Sequence, residues 1–433
     1  MNKSKKNSHK VSVLTLGCSK NVVDSEHLIG LLDYNGIEVT ENIENADTIV
    51  INTCGFIADA KEESINIIAQ AANMKNYDSN KQIIVTGCFS QRYIDTLDKK
   101  KLGVDYIFGV NSNEEVLHTI KPNDKYHIRN LRRLLTPPHY AYLKIAEGCN
   151  HECSFCAIPM IRGKYISTPV DNLITETEQL VEVGVKEINI IAQDTTYYGR
   201  DFDGKSHLAE LLDKLSDIEG VERLRLQYTY PAGFPLEVLD IIANKPNICN
   251  YIDIPFQHYS DKILKSMRRG TNSGQIEKLV NTIRERIDNV AIRSTFIVGY
   301  PGESEDDFAE LYNFIEKAKL DRVGVFTYSH EDDTHAYTLT DTVIEEGKNR
   351  RKEEIMLLQQ KISLEKNKEK IGKTYRMLVD GNSEEGYIAR TEHDAPDVDN
   401  LVYFNSAHHH NPGDFVNVKI IGASEYDLFG KGI

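Results

Sequence analysis

Short apolar runs and amphipathic stretches alternate along most of this chain. Val11–Leu16, Thr48–Ile51 and Ile83–Thr86 are brief and rich in β-branched residues, as buried strands are. Asp24–Tyr34 and Ala58–Met74 lie between them and read as helices. This alternation predicts parallel βαβ units. The Pro137-Pro138 pair cannot continue a helix and marks a boundary. Beyond it, Tyr142–Ile145, Glu187–Ile191, Leu224–Gln227, Tyr251–Ile254, Ile292–Val298 and Val323–Tyr328 predict strands. Leu173–Val183, Leu208–Leu215, Leu236–Ile242, Ile276–Ile287 and Phe308–Lys317 predict the helices between them. About six β/α units suggest a partial barrel, since a full one needs eight. A charged helix over Glu345–Lys370 follows. The last stretch changes character: Tyr375–Val379, Gly386–Ala389, Leu401–Phe404 and Phe415–Ile421 are short strand candidates separated by turn residues, as in a small all-β barrel.

The fold class is therefore α/β. A flexible tail over 1–10 precedes a parallel α/β domain over 11–135, a partial (β/α)6 barrel over 136–366 and a small all-β barrel over 367–433. Length supports several domains, because 433 residues exceed what one core usually holds.

Composition narrows the function class. With 40% hydrophobic and 27% charged residues, the chain fits neither a fibre nor a disordered polymer. No apolar stretch approaches the roughly 18 residues of a membrane span. The basic start MNKSKKNSHK is followed only by Val11–Leu16, too short for the core of a signal peptide. The expectation is a cytoplasmic protein with no membrane partner. A net charge of −15 disfavours broad binding of free nucleic acid and favours a basic partner. Seven cysteines in such a chain point to metal binding or catalysis before disulfides.

Two sets of three cysteines carry the chemistry. Cys149, Cys153 and Cys156 form C-x3-C-x2-C directly after the strand candidate YLKIAEG. Three thiolates on one tight loop can hold three irons of a four-iron cluster and leave the fourth open. A structural zinc loop is the alternative, but zinc normally takes a fourth ligand at matching spacing, and His151 is poorly placed for that. Cys18, Cys54 and Cys88 lie far apart in sequence, yet each follows a strand candidate. Strand ends in a parallel sheet meet at one edge, so these thiols can converge there. Gly17, Gly55 and Gly87 flank them and permit close backbone approach. Three separately buried core cysteines are the ordinary alternative. Cys249, in NICNYID, fits neither set and reads as a packed apolar residue.

The loop with Phe155 before its last cysteine resembles that of the radical S-adenosylmethionine (SAM) enzymes. LGCSKN, NTCGFI and TGC resemble the N-terminal domain of the methylthiotransferases within that superfamily. The resemblance extends over nearly the whole chain and implies a radical SAM core with a C-terminal TRAM-like β-barrel. It implies two [4Fe-4S] clusters, one on Cys149, Cys153 and Cys156 and the other on Cys18, Cys54 and Cys88. The first would bind SAM at its open iron and cleave it to a 5′-deoxyadenosyl radical. A second SAM would supply the methyl of a methylthio group inserted into an unactivated C–H bond. FCAIPMIRG, AQDTTYYGRD, PFQHYSDKILKSMRRG and Lys20 of LGCSKN resemble the branch that modifies the β-carbon of an aspartate in ribosomal protein uS12. The implied partners are uS12 or the small ribosomal subunit, an electron donor and a sulfur source.

Charge gives an independent argument. Residues 371–433 hold five basic and ten acidic side chains, a net of −5. A domain built to grip RNA should be basic. The near alternative remains the same chemistry on adenosine of transfer RNA. The alternative from another class is a non-catalytic iron–sulfur scaffold or electron carrier. With no obvious coiled coil, a monomer is the expected state.

Lesser signals sit at predicted strand ends. Gln193 and Asp194 end the second barrel strand, where related enzymes contact the SAM amino group. Asp253 in YIDIPF reaches the SAM ribose or pairs with a neighbour. In STFIVGYPGE, Gly299 and Glu303 lie where radical SAM cores pass the adenine, while Ser304 caps a following helix. Arg162, Lys164, Arg268 and Arg269 are candidates to orient a substrate carboxylate, solvated surface charge being their default. His408–His410 offers metal ligands but, with no further ligands beside it, reads as a polar loop.

Overall fold

The computed structural model describes residues 9–122, 131–384 and 386–433. Most of the expected N-terminal tail lies outside the described residues. Contacts divide the chain into two compact units. The first takes in the chain up to Leu135 together with 148–150 and 157–164; the remainder forms the second.

The first unit is built on a five-stranded parallel sheet. Its strands Lys10–Thr15, Thr48–Thr53 and Gln82–Gly87 lie side by side, with Glu38–Val39 and Tyr106–Ile107 at the edges. The period of two in a strand sends neighbouring apolar residues to opposite faces. Val50 and Ile84 accordingly join Val11, Leu28 and Leu32 in one core, while Ile49, Ile51, Ile83 and Val85 join Ile68 in another. Helix Ser19–Tyr34 covers the first face and Ala58–Met74 the second. The two edge strands have two residues each, too short to show a period in sequence.

The second unit contains six parallel strands in two ladders. Glu187–Ile191 is flanked by Arg223–Leu226 and Tyr140–Lys144; Ala291–Val298 is flanked by Tyr251–Asp253 and Arg322–Thr327. Backbone bonds from Cys249 to Leu224 (2.8 Å) and Thr229 to Asp253 (2.9 Å) join the ladders. Helices Val170–Glu182, Leu208–Ser216, Glu237–Asn244, Ser273–Arg286, Glu305–Ala318 and Glu345–Lys368 alternate with these strands, giving the partial (β/α)6 barrel. Ser304 caps its helix as expected: its hydroxyl accepts from the Asp307 N–H, and the Asp307 carboxylate accepts from the Ser304 N–H.

The C-terminal strands Thr374–Ser383, Gly386–Arg390, Val402–Asn405, Phe415–Ala423 and Leu428–Gly432 close into a barrel around Met377, Val379, Val402, Val418 and Ile420. The last strand, LFGKG, has glycine or lysine at three of its five positions and gives no strand signal in sequence. Several of the ten acidic residues of this region meet partners on the (β/α)6 barrel. Asp380 meets His139 and Asp394 meets Arg322, at 2.8 and 2.5 Å. Asp397 accepts from Tyr142 (2.9 Å), and Asp399 from Tyr251 (2.7 Å). Those carboxylates fasten the barrel to its neighbour, so the acidic surface available to a partner is smaller than the sequence count implies. Arg390 also reaches Glu187, at the start of its strand, which takes a further bond from Arg225.

Candidate functional site

In the first unit, Cys18, Cys54 and Cys88 each follow the carboxyl end of one of three adjacent strands. The strand order places them beside the point where the sheet reverses its winding, the usual ligand site of such folds. Cys18 precedes helix Ser19–Tyr34 and is exposed; Cys54 is half-buried; Cys88 opens a short helix and is buried. Gly17 and Gly87 have φ of +89° and +100°, a region that favours glycine. A Cβ on Gly17 would stand 2.8 Å from Cys54 Sγ, and one on Gly87 2.6 Å from the Thr53 backbone. The expected close approach is therefore real at both.

Burial pushes the Cys88 thiol up to about 12, against the pull of the nearby Arg162 guanidinium, and Cys18 and Cys54 are close enough to add to the rise. Burial also raises Cys54. Buried thiols such as Cys54 and Cys88 ionise only where positive charge accompanies them. Arg162 supplies part of that charge. Its side chain is buried and donates to Asn21 Oδ1 (2.6 Å) and Asp24 (3.0 Å), and Asn21 Oδ1 also lies 3.7 Å from Cys88 Sγ. Sequence offers Arg162 as a candidate to orient a substrate carboxylate or as a solvated charge; it is buried beside these thiols. Among the described residues, no three His, Cys, Asp or Glu side chains gather tightly enough for a single metal ion. Thiols that ligate separate irons need only surround a cluster, so the donor set suits a cluster better than a lone zinc.

In the second unit the site lies at the carboxyl ends of the barrel strands. Cys153 and Cys156 share a tight turn, with Cys156 N–H on the Cys153 carbonyl at 3.0 Å. Ser154 between them donates its N–H to the Met267 carbonyl (3.0 Å), tying the turn to the segment that carries Arg269. Arg269 is buried and donates to Cys153 Sγ at 3.2 Å. Phe155 packs against the cluster of Ile263, Met267, Tyr300 and Ala336. Cys149, the first cysteine of the loop, belongs to the first unit, where its N–H donates to the Gly163 carbonyl (3.1 Å).

Two amide oxygens stand out around these strand ends. Gln193 Oε1 and Gln227 Oε1 are buried with no hydrogen-bond partner, although Gln193 Nε2 reaches Glu147 (3.4 Å). Buried amide oxygens are normally satisfied. Two at the carboxyl ends of neighbouring strands fit a bound cofactor with an ammonium or hydroxyl to offer. Tyr228 and Gln257 hold positive φ (58° and 73°) just beyond their strands, strain of the kind functional sites retain. Asp253 is engaged by Arg293 (3.0 Å) and the Tyr228 N–H (2.9 Å), so it buttresses this rim. Glu303 accepts from the Gly299 and Tyr300 N–H groups and pairs with Arg351 (3.2 Å). It braces the turn that Gly299 opens, where φ is +76°.

Other expectations resolve simply. Cys249 is buried with Tyr251, Ala291 and Ala395, an apolar packing role. Lys164 and Arg268 are exposed charges. His408 and His409 are exposed in a loop, and His410 bonds Ser406 (2.9 Å). Gln227, Tyr230 and the two buried arginines carry no motif; only their position after strands or near the cysteines could have marked them. No described helix is long and apolar enough to cross a membrane.

Comparisons place this geometry. Residues 10–109 match the uncharacterized protein family UPF0004, 143–315 the radical SAM superfamily and 371–433 the TRAM domain. The ribosomal protein uS12 methylthiotransferases RimO of Cytophaga hutchinsonii and Flavobacterium johnsoniae are each 48% identical. The first alignment covers 98% of this chain and 97% of the relative, the second 98% of both. The RimO of Acetivibrio thermocellus is 45% identical over 98% of each. Among solved structures, the radical SAM methyltransferase TsrM of Kitasatospora setae, with cobalamin and a [4Fe-4S] cluster bound, superposes with a TM-score of 0.55. It is 15% identical and covers 74% of this chain and 75% of its own, a likeness of fold. The chain is an enzyme, and it belongs to the RimO branch of the radical SAM methylthiotransferases.

Proposed function

We propose that this enzyme methylthiolates the β-carbon of an aspartate in ribosomal protein uS12, in the cytoplasm where ribosomes are. The observation that carries this reading is the full-length likeness to RimO enzymes, joined to two separate cysteine triads at strand ends. Cys149, Cys153 and Cys156 would hold one [4Fe-4S] cluster, and Cys18, Cys54 and Cys88 the other. When bound, the clusters and SAM supply the radical, the methyl group and the sulfur chemistry.

The chain's own residues do the holding. The unpaired oxygens of Gln193 and Gln227 would accept from the ammonium or hydroxyls of SAM. Phe155 steadies the loop by packing its half-buried ring against the apolar cluster that includes Met267 and Tyr300. Asp253 and Glu303 keep the strand-end turns in place through Arg293 and Arg351. Arg162 balances the negative charge that three thiolates would bring to their pocket. An external electron donor and a sulfur source complete the requirements, and the enzyme works as a monomer.

The test has two steps. Protein purified without oxygen should contain about eight irons and eight sulfides per chain. It should then add a methylthio group to the uS12 aspartate, detected by mass spectrometry of the tryptic peptide, and leave transfer RNA unmodified. About four irons would limit the enzyme to one cluster. Product on transfer RNA alone would transfer the assignment to the nucleic-acid branch.

A further inference from the structure

Beside Cys153 the second unit carries a row of three stacked side chains. The Arg269 guanidinium lies 4.2 Å from the centre of the Tyr230 ring. Tyr230 stacks on His151, with ring centres 3.7 Å apart and planes 9° from parallel. His151 in turn meets Asp194 at 2.6 Å, and Asp194 is held by the Thr196 N–H at 2.8 Å. Arg269 is fixed at both ends of its fork, one nitrogen on Cys153 Sγ (3.2 Å) and the other on the Pro255 carbonyl (2.6 Å). The Tyr230 hydroxyl donates to the Arg269 carbonyl (2.8 Å) and stands 3.8 Å from the same sulfur. Arg269 therefore has little freedom to leave the sulfur.

A buried guanidinium is costly unless an anion accompanies it. The atom its guanidinium meets is the Cys153 sulfur, at 3.2 Å, the atom that would ligate iron. Hydrogen bonds to cluster sulfurs, and the net charge around a cluster, set its reduction potential. Reduction adds one negative charge, so a fixed cation with an N–H aimed at a ligand sulfur favours the reduced state.

We propose that Arg269, aligned by Tyr230, raises the reduction potential of the iron–sulfur cluster held by Cys149, Cys153 and Cys156. The inference rests on the reading that those cysteines bind a four-iron cluster. The step concerned is transfer of one electron from a low-potential one-electron donor to the oxidised cluster. No bond forms or breaks and no proton moves. The donor is oxidised by one electron and the cluster reduced by one. Arg269 lowers the demand on that donor. It acts through Cys153, whose sulfur its N–H meets at 3.2 Å.

The test uses the full-length chain with Cys18, Cys54 and Cys88 all replaced by alanine, so that one cluster remains. The midpoint is read by dithionite titration followed by electron paramagnetic resonance, with iron counted in each sample. Arg269→Met should retain about four irons. At the parent's midpoint its reduced-to-oxidised ratio should fall about tenfold, a shift of ~59 mV to lower potential for one electron. Arg269→Lys, which keeps the charge but not the planar fork, should shift less in the same direction. Tyr230→Leu, which removes the platform, should shift between the two. An Arg269→Met protein with full iron and the parent's midpoint overturns the proposal. If that variant does not retain iron, Arg269→Lys is read instead, and an unchanged midpoint there overturns it equally. A parent that binds no iron argues against the cluster reading itself, and this is seen before Arg269 is altered.

Discussion

Replacing Glu187 with glutamine should loosen the hold of the C-terminal barrel on its neighbour. Glu187 is completely buried and faces three guanidiniums: Arg225 at 3.0 Å, Arg390 at 3.0 Å and Arg223 at 3.7 Å. Burial pushes its carboxyl up, but Arg390, Arg225 and Arg223 together outweigh burial and hold it at about 2, from an ordinary 4.5. That fall, at 1.36 kcal/mol for each pKa unit, corresponds to about 3 kcal/mol. Removing one partner of a buried ion pair independently costs about 3–5 kcal/mol, because the charge left behind loses its counter-ion. Glu187→Gln should therefore lose about 3–5 kcal/mol at pH 7 by urea unfolding followed by circular dichroism. The folded pKa lies below the unfolded one. Wild type then has the full stabilisation above pH 4.5 and loses it as pH falls toward 2, while the variant has none to lose. The two stability curves should converge at low pH. A loss under about 1 kcal/mol at pH 7, or curves that stay parallel, would refute the reasoning.

Three further outcomes are expected. Alanine at Cys149, Cys153 or Cys156 should abolish 5′-deoxyadenosine formation, whereas alanine at Cys18, Cys54 or Cys88 should spare it and stop methylthio transfer; chromatographic assay of both products checks this. Gly17→Ala should cut iron from about eight to about four per chain, because its Cβ meets Cys54 Sγ at 2.8 Å and its φ of +89° disfavours alanine; an unchanged iron count counts against that pocket. Gln227→Leu should weaken SAM binding to the iron-loaded enzyme about 5–150-fold, the equivalent of about 1–3 kcal/mol for a lost buried hydrogen bond; equal affinity by calorimetry removes the amide from the cofactor site.

The parts legible in sequence were those with periodicity or spacing. Runs such as TIVINT and QIIVTG are strands because both sheet faces are covered, and the cysteines after them converge because parallel strands end at one edge. Ser304 announced its helix by local chemistry alone. What stayed hidden depends on distant contacts. Arg162 and Arg269 look like any surface arginine until the fold buries one near Cys88 and the other on Cys153. Gln227 and Tyr230 lie in LRLQYTY, which reads only as the end of a strand. The turn at Tyr228, with φ of 58°, is paid for by its neighbours and leaves no mark in the residue type. The charge count of the last domain overstates what a partner meets, because Asp380, Asp394 and Asp399 are engaged by His139, Arg322 and Tyr251.

Closure of the C-terminal barrel constrains how that domain can recognise anything. Each of its five strands is hydrogen-bonded on both sides: Thr374–Ser383 to Gly386–Arg390 and Phe415–Ala423, and so on round to Leu428–Gly432. A ribosomal-protein segment cannot dock there by adding itself as a further strand, the main-chain mode that open sheets offer. Recognition by this domain must be read out through side chains and loops. Its selectivity should then respond to single surface substitutions rather than to the extended shape of the peptide.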